Sequence, residues 1–286
     1  FRVEALSKFD FKKAEIALFS AGSSISREFA PRAAKAGCVV IDNTSLFRRE
    51  DHIPLIIPEV NPTKLEQFKK NNIIANPNCS TIGMLVALQP IRLAVGIRRI
   101  NVATYQAVSG SGKKGIEELA SQTARLLNVQ PIESEVYPQQ IAFNALPAIG
   151  DLEENGYTNE EMKMVWETQK IFEDDSILVN PTCVRIPVFY GHGEAIHVET
   201  KEPITTEKAL DLLSDAPGVR VIDQRDPIDF PSAVRDSAGK DPVFVGRVRQ
   251  DISSERGLSM WVVSDNVRKG AALNSVQIAE LLKDHL

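Results

Sequence analysis

Short apolar runs alternate with amphipathic segments in the first third of the chain, and this pattern constrains the fold most strongly. Three runs are predicted as buried strands, over residues 14–19, 38–42 and 73–75. Helices are predicted between them, over residues 27–36 and 61–70. Gly37 is expected to end the first helix, and Pro31 is compatible with that helix only in its first turn. Strand–helix–strand alternation predicts a doubly wound, Rossmann-like parallel sheet.

The pattern changes after about residue 100, where longer predicted strands are joined by turns. These strands cover residues 100–109, 183–190, 195–201, 243–250 and 258–264. The predicted helices cover residues 115–128, 159–172, 206–215 and 267–286. This part is therefore expected to form a mixed or antiparallel sheet with helices, which gives an α/β protein with a second, mixed α/β region.

Charge and cysteine content exclude several classes of protein. The net charge of -5 and pI near 5.6 argue against binding nucleic acid, which needs a basic surface. The three cysteines show no disulfide or metal-ligand spacing, so no metal site is expected. No apolar run approaches the roughly 18 residues of a membrane span, and no signal peptide is evident. A cytoplasmic enzyme with a small-molecule substrate is the expectation.

The segment Asn76-Pro77-Asn78-Cys79-Ser80-Thr81 is the clearest chemical signal. A predicted strand ends before it and an apolar helix follows over residues 82–89. Cys79 is thus expected at a helix N-terminus, where the helix dipole favours a thiolate and free N–H groups can bind an oxyanion. A buried structural cysteine is the alternative, but the polar neighbours favour a nucleophile. Cys38 and Cys183 lie in apolar strands and are predicted to be core residues.

Three further polar residues stand out from apolar or glycine-rich surroundings. Gln106 and Arg185 interrupt predicted strands, and His192 lies between two glycines in a turn. Gln106 is either a hydrogen-bonded core amide or a group that orients substrate. Arg185 needs an anionic partner, and its guanidinium can hold a carboxylate through two parallel bonds. His192 is either a surface histidine or a general acid–base.

Seven segments of this chain resemble aspartate-semialdehyde dehydrogenases of the branch found in many bacteria. They are S-A-G-S-S at 20–24, D-N-T-S-L-F-R at 42–48, P-N-C-S-T at 77–81, Y-Q-A-V-S-G at 105–110, E-T-Q-K at 167–170, V-R-I-P-V at 184–188 with His192, and D-N-V-R-K-G-A-A-L-N-S-V-Q-I-A at 265–279. Each segment is weak evidence alone, but their occurrence in the family's order is specific.

The resemblance implies a covalent mechanism with Cys79, His192 and Gln106 as catalytic residues. The Cys79 thiolate would attack aspartyl phosphate and expel phosphate, and NADPH would reduce the resulting thioester to L-aspartate 4-semialdehyde. This reaction belongs to the biosynthesis of lysine (through diaminopimelate), threonine, methionine and isoleucine. Arg185 would hold the substrate carboxylate and Glu167 its amino group.

The remaining implied roles concern phosphate and cofactor. Arg48, Asn78 and Lys170 would bind the departing phosphate, although Arg48 is equally compatible with an exposed loop and the Glu167–Lys170 pair with a solvated helix face. The implied NADP-binding residues are Ser20, Ala21, Gly22, Ser109, Gly110, Gly112 and Asn266. The glycine-rich loop at 109–115 lacks the spacing of an ATP-binding P-loop.

The resemblance also implies two domains and a homodimer, or a tetramer. Residues 1–78 and 266–286 would bind NADP, and residues 79–265 would carry catalysis and dimerisation. The family begins with a glycine-rich turn that holds the cofactor pyrophosphate. The sequence from Phe1 resembles the family just before its third or fourth strand, so this turn is expected to be absent, and NADP is not distinguished from NAD.

Three alternatives remain at this point. N-acetyl-glutamyl-phosphate reductase shares the fold and thioester logic, but its cysteine turn usually reads P-G-C-Y. Glyceraldehyde-3-phosphate dehydrogenase has a different turn and a differently placed histidine. An inactive fragment or paralogue acting as an oligomerisation module is a further alternative, although Cys79, Gln106, Arg185 and His192 are all present.

Overall fold

The computed structural model describes residues 3–285, so Phe1, Arg2 and Leu286, with the parts of the predictions that fall on them, lie outside the described residues. The chain divides into two compact units. The first runs to Pro77 and resumes at Asn274, and the second comprises Asn78–Leu273. The domain boundaries implied by the resemblance lie after residues 78 and 265.

The first unit contains a three-stranded parallel sheet. Its strands are β1 (Ile16–Phe19), β2 (Val39–Asp42) and β3 (Ile73–Ala75), hydrogen-bonded in the order β1-β2-β3. Helix α1 (Ser23–Lys35) connects β1 to β2, and a 3-10 helix (Pro62–Lys70) precedes β3. Apolar side chains from the sheet and its neighbouring segments form one core: Val39, Ile41, Ile56, Leu65, Phe68, Ile74, Ile278 and Leu282.

Helix α1 differs from its prediction at its N-terminus. It begins at Ser23, after Gly22 turns the chain with φ 97°, so Pro31 lies inside the helix and not in its first turn. The prediction for Pro31 was therefore wrong. The helix loses a single backbone hydrogen bond at proline, while Ala30 and Ala33 on the same helix are completely buried. The expected end at Gly37 is confirmed, because Gly37 has φ 95° and donates its N–H to the Ala34 carbonyl.

The second unit contains a mixed six-stranded sheet. In chain order its strands are β4 (Ile97–Gln106), β5 (Leu178–Arg185), β6 (His192–Thr200), β7 (Val219–Val221), β10 (Val243–Gln250) and β11 (Gly257–Ser264). They are hydrogen-bonded in the order β5-β4-β6-β11-β10-β7, and a separate pair comprises β8 (Gln224–Arg225) and β9 (Ile228–Asp229). The predicted α/β class, with one parallel sheet and one mixed sheet, is confirmed.

Helices complete the second unit and the end of the chain. They are α2 (Cys79–Val95), α3 (Gly112–Leu127), α4 (Asn159–Phe172), α5 (Thr206–Ser214) and α6 (Leu273–Leu282). A 3-10 turn covers Val108–Ser111, and π-helical turns cover Ala233–Ser237 and Arg268–Ala272. Most side chains of α2 are buried on all sides, and Pro90 lies within the helix without ending it.

Two predicted strands extend too far at their carboxyl ends. Strand β4 ends at Gln106, and β5 ends at Arg185, five residues before the predicted end. The prediction of a strand to residue 190 was wrong because Pro187 has no N–H, and Val188 instead donates to the Ile186 carbonyl in a turn. Gln106 and Arg185 are consequently paired in register at the carboxyl ends of two parallel strands.

Two features are absent from residues 3–285. No helix in this range is both long and apolar enough to cross a membrane. No group of three or more histidine, cysteine, aspartate or glutamate side chains in this range is placed to hold a metal ion.

Candidate active site

Cys79 is the first residue of α2, as the sequence predicts. Asn78 caps the helix, since its Oδ1 accepts hydrogen bonds from the backbone N–H groups of Ser80 (3.0 Å) and Thr81 (3.3 Å). Cys79 is half-buried, whereas Cys38 and Cys183 are completely buried. The helix N-terminus favours a thiolate at Cys79, and burial raises the pKa values of the other two thiols.

The segment after β11 approaches the Cys79 backbone closely. A Cβ atom on Gly270 would lie 2.8 Å from the Cys79 Cβ. Only glycine therefore allows this segment to reach the nucleophile at its present separation. The same segment carries Asn266, whose Oδ1 accepts hydrogen bonds from the Ser109 hydroxyl (3.1 Å) and the Gly191 N–H (3.0 Å). Asn266 thus joins the loop at Ser109 to the turn before His192.

His192 begins β6 and is 1% exposed. Its Nδ1 accepts a hydrogen bond from the Ala107 N–H at 3.0 Å, which assigns the proton of the neutral ring to Nε2. Burial, and secondarily the positive charge of Arg185, lower the pKa of His192 to about 3. The imidazole is therefore neutral at physiological pH and presents Nε2–H as a donor. No described residue accepts a hydrogen bond from this nitrogen.

Arg185 is anchored to the same residue as His192. Its Nη1 donates to the Ala107 carbonyl at 2.6 Å, and the side chain is buried, with the residue 5% exposed. Gly110 permits this arrangement, because a Cβ there would lie 2.8 Å from Arg185 Nη1 and 3.6 Å from His192 Nε2. Among residues 3–285, no carboxylate forms an ion pair with Arg185. A buried guanidinium without an acidic partner is suited to an anionic ligand.

Helix α4 supplies two carboxylates to the Asn78–Cys79 turn. Glu167 Oε2 accepts the Asn78 backbone N–H at 2.6 Å, and Glu160 Oε1 accepts Asn78 Nδ2 at 2.8 Å. Glu160 Oε1 also lies 3.4 Å from Gln106 Nε2. The turn that carries Cys79 and the end of strand β4 therefore share one carboxylate. Lys170 is half-buried and one helical turn beyond Glu167.

Two buried carboxylates, Glu160 and Glu194, were not predicted from the sequence. Glu160 stands next to Glu161, which completes the capping box of α4. Acidic residues in the first turn of a helix are typical of capping, so Glu160 did not stand out as a site residue. Glu194 is 1% exposed, and burial raises its pKa well above the ordinary value. The available signal for Glu194 is strand alternation, which places it on the same face of β6 as His192.

Four predicted site residues belong to the first unit: Ser20, Ala21, Gly22 and Arg48. Ser20, Ala21 and Gly22 are exposed between β1 and the N-terminus of α1. Nothing lies within 4 Å of a Cβ built on Gly22, so the space beside this turn is open. The predicted role of these three residues in binding a dinucleotide cofactor remains a prediction. Arg48 Nη2 donates to the Asn43 carbonyl at 3.0 Å, and its predicted role in phosphate binding remains a prediction.

Comparison with known proteins decides the family. The model for the semialdehyde dehydrogenase dimerisation domain matches residues 88–269, and the model for the semialdehyde dehydrogenase NAD-binding domain matches residues 1–68. The aspartate-semialdehyde dehydrogenase of Legionella pneumophila is 61% identical over 278 residues, which cover 97% of this chain and 80% of the relative. This chain belongs to the aspartate-semialdehyde dehydrogenase family.

Solved structures agree with this assignment. The structure of aspartate semialdehyde dehydrogenase II from Vibrio cholerae, complexed with ASA, matches with a TM-score of 0.97 and 61% identity, over 99% of this chain and 83% of that chain. The Candida albicans enzyme with NADP matches with a TM-score of 0.73 and 26% identity, over 94% and 77% of the two chains. The relatives support this family over N-acetyl-glutamyl-phosphate reductase.

Proposed function

We propose that this chain converts L-aspartyl 4-phosphate to L-aspartate 4-semialdehyde with NADPH, through a thioester on Cys79. The observation that carries the proposal is the buried Arg185 guanidinium without an acidic partner among the described residues, anchored with His192 on Ala107. Gln106 lies beside Arg185 in register and shares Glu160 with the Cys79 turn. Family membership supports the reaction, and the buried guanidinium without an acidic partner supports an anion-binding role for Arg185.

The covalent step begins with the Cys79 thiolate. Its sulfur forms a bond to the acyl carbon of the substrate, and the bond from that carbon to the phosphate oxygen breaks, so phosphate leaves and a thioester remains. Bound NADPH supplies the hydride that reduces this thioester. His192 donates a hydrogen bond from Nε2–H to the oxygen on which charge develops. Breaking the carbon–sulfur bond then releases the aldehyde and restores the Cys79 thiolate.

Substrate recognition is proposed to follow the charges of the site. Arg185 binds the substrate α-carboxylate, which provides the missing counter-ion for its buried cation. Glu167 binds the substrate amino group while it accepts the Asn78 N–H. Asn78 Nδ2 has a second hydrogen besides the one given to Glu160, and this hydrogen is available to phosphate. Lys170 is proposed to add positive charge for the same phosphate, and a phosphate-binding role of Arg48 remains a prediction from the resemblance.

Cofactor binding is proposed separately for each unit. Residues before Asn78 and after Leu273 form the cofactor-binding domain, in which Ser20, Ala21 and Gly22 hold phosphate. The second unit contributes Ser109, Gly110, Gly112 and Asn266 and provides the contacts of a homodimer. NADP is preferred over NAD in this proposal, supported by the related Candida albicans structure with NADP. Assembly into tetramers and a cytoplasmic location remain predictions.

The decisive assay is phosphate-dependent reduction of NADP by aspartate semialdehyde, with NAD and N-acetylglutamate semialdehyde tested in parallel. We expect activity with NADP and aspartate semialdehyde, and none in the Cys79→Ala variant. Arg185→Leu is expected to raise KM strongly, because the carboxylate loses its partner. Activity in Cys79→Ala, or no activity of the unmodified chain with either cofactor, would contradict the proposal.

A further inference from the structure

Glu160 is a buried carboxylate at the start of α4 that contacts two residues of the candidate site. It is 8% exposed. Its Oε1 accepts hydrogen bonds from Asn78 Nδ2 at 2.8 Å and Gln106 Nε2 at 3.4 Å. Its Oε2 forms an ion pair with Lys163 Nζ at 3.0 Å. The cation holds one oxygen, so the other oxygen stays directed at Asn78 and Gln106.

This contact fixes the direction in which the Gln106 amide faces. An ionised carboxylate accepts hydrogen bonds and donates none, so the NH2 group of Gln106 must face Glu160. The same nitrogen lies 3.2 Å from Thr104 Oγ1, which accepts its other hydrogen. Both amide hydrogens are therefore used within the protein. The Gln106 oxygen is the atom left to face a reacting group, and it can only accept a hydrogen bond.

The same carboxylate fixes the cap of the nucleophile helix. With Nδ2 of Asn78 held by Glu160, Oδ1 is turned to the N–H groups of Ser80 and Thr81. Rotation of this amide would place an NH2 group against those N–H donors and remove the cap. The position of Cys79, between Asn78 and Ser80, depends on this cap.

We propose that Glu160 is a positioning residue, which orients the side chains of Asn78 and Gln106 and thereby sets the geometry of the Cys79 turn. The proposal rests on the proposed function only for its kinetic consequences. The orientation of Asn78 and Gln106 depends on the acceptor oxygen of Glu160, and not on its negative charge alone. Glutamine at position 160 retains an acceptor oxygen at the same reach, whereas leucine has a similar size and no acceptor.

Glu161 provides a matched control on the same helix. It is buried to a similar degree, at 7% exposed. Its two oxygens accept backbone N–H groups, from Cys183 at 2.9 Å and from Thr158 at 2.7 Å. Neither partner belongs to the candidate site. Loss of Glu161 is therefore expected to lower stability without changing the orientation of Asn78 or Gln106.

The test compares Glu160→Leu, Glu160→Gln and Glu161→Leu in the full chain. Two quantities are measured: steady-state kcat and KM for aspartate semialdehyde, and the pH midpoint of Cys79 alkylation by iodoacetamide without substrate. Glu160→Leu is expected to lower kcat by about 100-fold, the effect of a misplaced reacting group. Glu160→Gln is expected to stay within about tenfold of the unmodified enzyme, and KM changes little because Arg185 is intact.

The alkylation midpoint separates positioning from charge. Glu160→Leu and Glu160→Gln remove the same negative charge, so a higher midpoint in the leucine variant reports loss of the acceptor. Glu161→Leu is expected to lower the melting temperature and leave kcat and the midpoint unchanged. Equal kcat losses and equal midpoints in the two Glu160 variants overturn the proposal, as does the same change in Glu161→Leu. The midpoint needs no turnover, so it tests Glu160 even if the proposed reaction is wrong.

Discussion

Glu194 lets the pH dependence of stability be predicted from one buried carboxyl group. Glu194 lies in the middle of the sheet, where β6 pairs it in register with Thr104 of β4 and with Val262 of β11. A Cβ on Gly83, one helical turn after Cys79, would lie 3.2 Å from Glu194 Oε1. No described residue forms a hydrogen bond with either carboxyl oxygen. Burial therefore disfavours the charged form and raises the pKa of Glu194 well above its usual range.

The sign of the effect follows from proton binding. In the unfolded chain Glu194 loses its proton at about pH 4.3, the reference pKa of glutamate. The folded protein keeps that proton up to the higher folded pKa, so between these two pKa values the folded state binds more protons. The free energy of unfolding then falls as pH rises, by about 1.4 kcal/mol for each pH unit in this window. The contribution is complete below the unfolded pKa and is lost as pH rises towards the folded pKa.

The perturbation is to replace Glu194 with glutamine or leucine, neither of which titrates. Urea unfolding at pH 5, 6 and 7, followed by fluorescence of Trp166 and Trp261 in the same unit, gives the free energies. Relative to the unmodified protein, both variants are expected to gain stability as pH rises above the unfolded pKa, by at most about 1.4 kcal/mol per pH unit. The free energies of unfolding of the two variants are expected to differ by an amount that does not change with pH, because leucine and glutamine pack differently. Free-energy curves that run parallel to that of the unmodified protein would refute a proton held by Glu194.

Three further predictions test the site. Gly83→Ala places a Cβ 2.8 Å from Ser264 Oγ and should destabilise the protein by about 1–3 kcal/mol, seen as a lower melting temperature; an unchanged value contradicts the packing. Because the pKa of His192 is lowered to about 3, its NMR resonance, assigned with His192→Asn, should not titrate between about pH 5 and 8; a midpoint at about pH 6.5 contradicts this. Iodoacetamide should modify Cys79 before Cys183, whose pKa burial raises, and equal rates in mass spectrometry contradict the nucleophile.

Local sequence was sufficient for much of the fold because short-range preferences agree with the tertiary structure. Gly37 ends α1, and Cys79 begins α2, as the sequence predicts. Prediction failed at Pro31 and at the segment after Arg185. At Pro31, tertiary packing of the alanines in α1 outweighs the loss of a hydrogen bond. After Arg185, an apolar run continues past the point where Pro187 interrupts the sheet, so hydrophobicity alone extends the strand too far.

For the candidate site, the sequence determined which residue types stand out and where Cys79 lies in its helix. A polar turn followed by an apolar helix is local information, and so is the burial of Cys38 and Cys183 in apolar strands. Tertiary structure decided which groups hold these residues. Ala107 contacts His192 across 85 positions of the chain, and Glu160 contacts Gln106 across 54 positions. Periodicity and capping patterns span only a few residues, so they carry no information about such partners, which only the packing of strands and helices brings together.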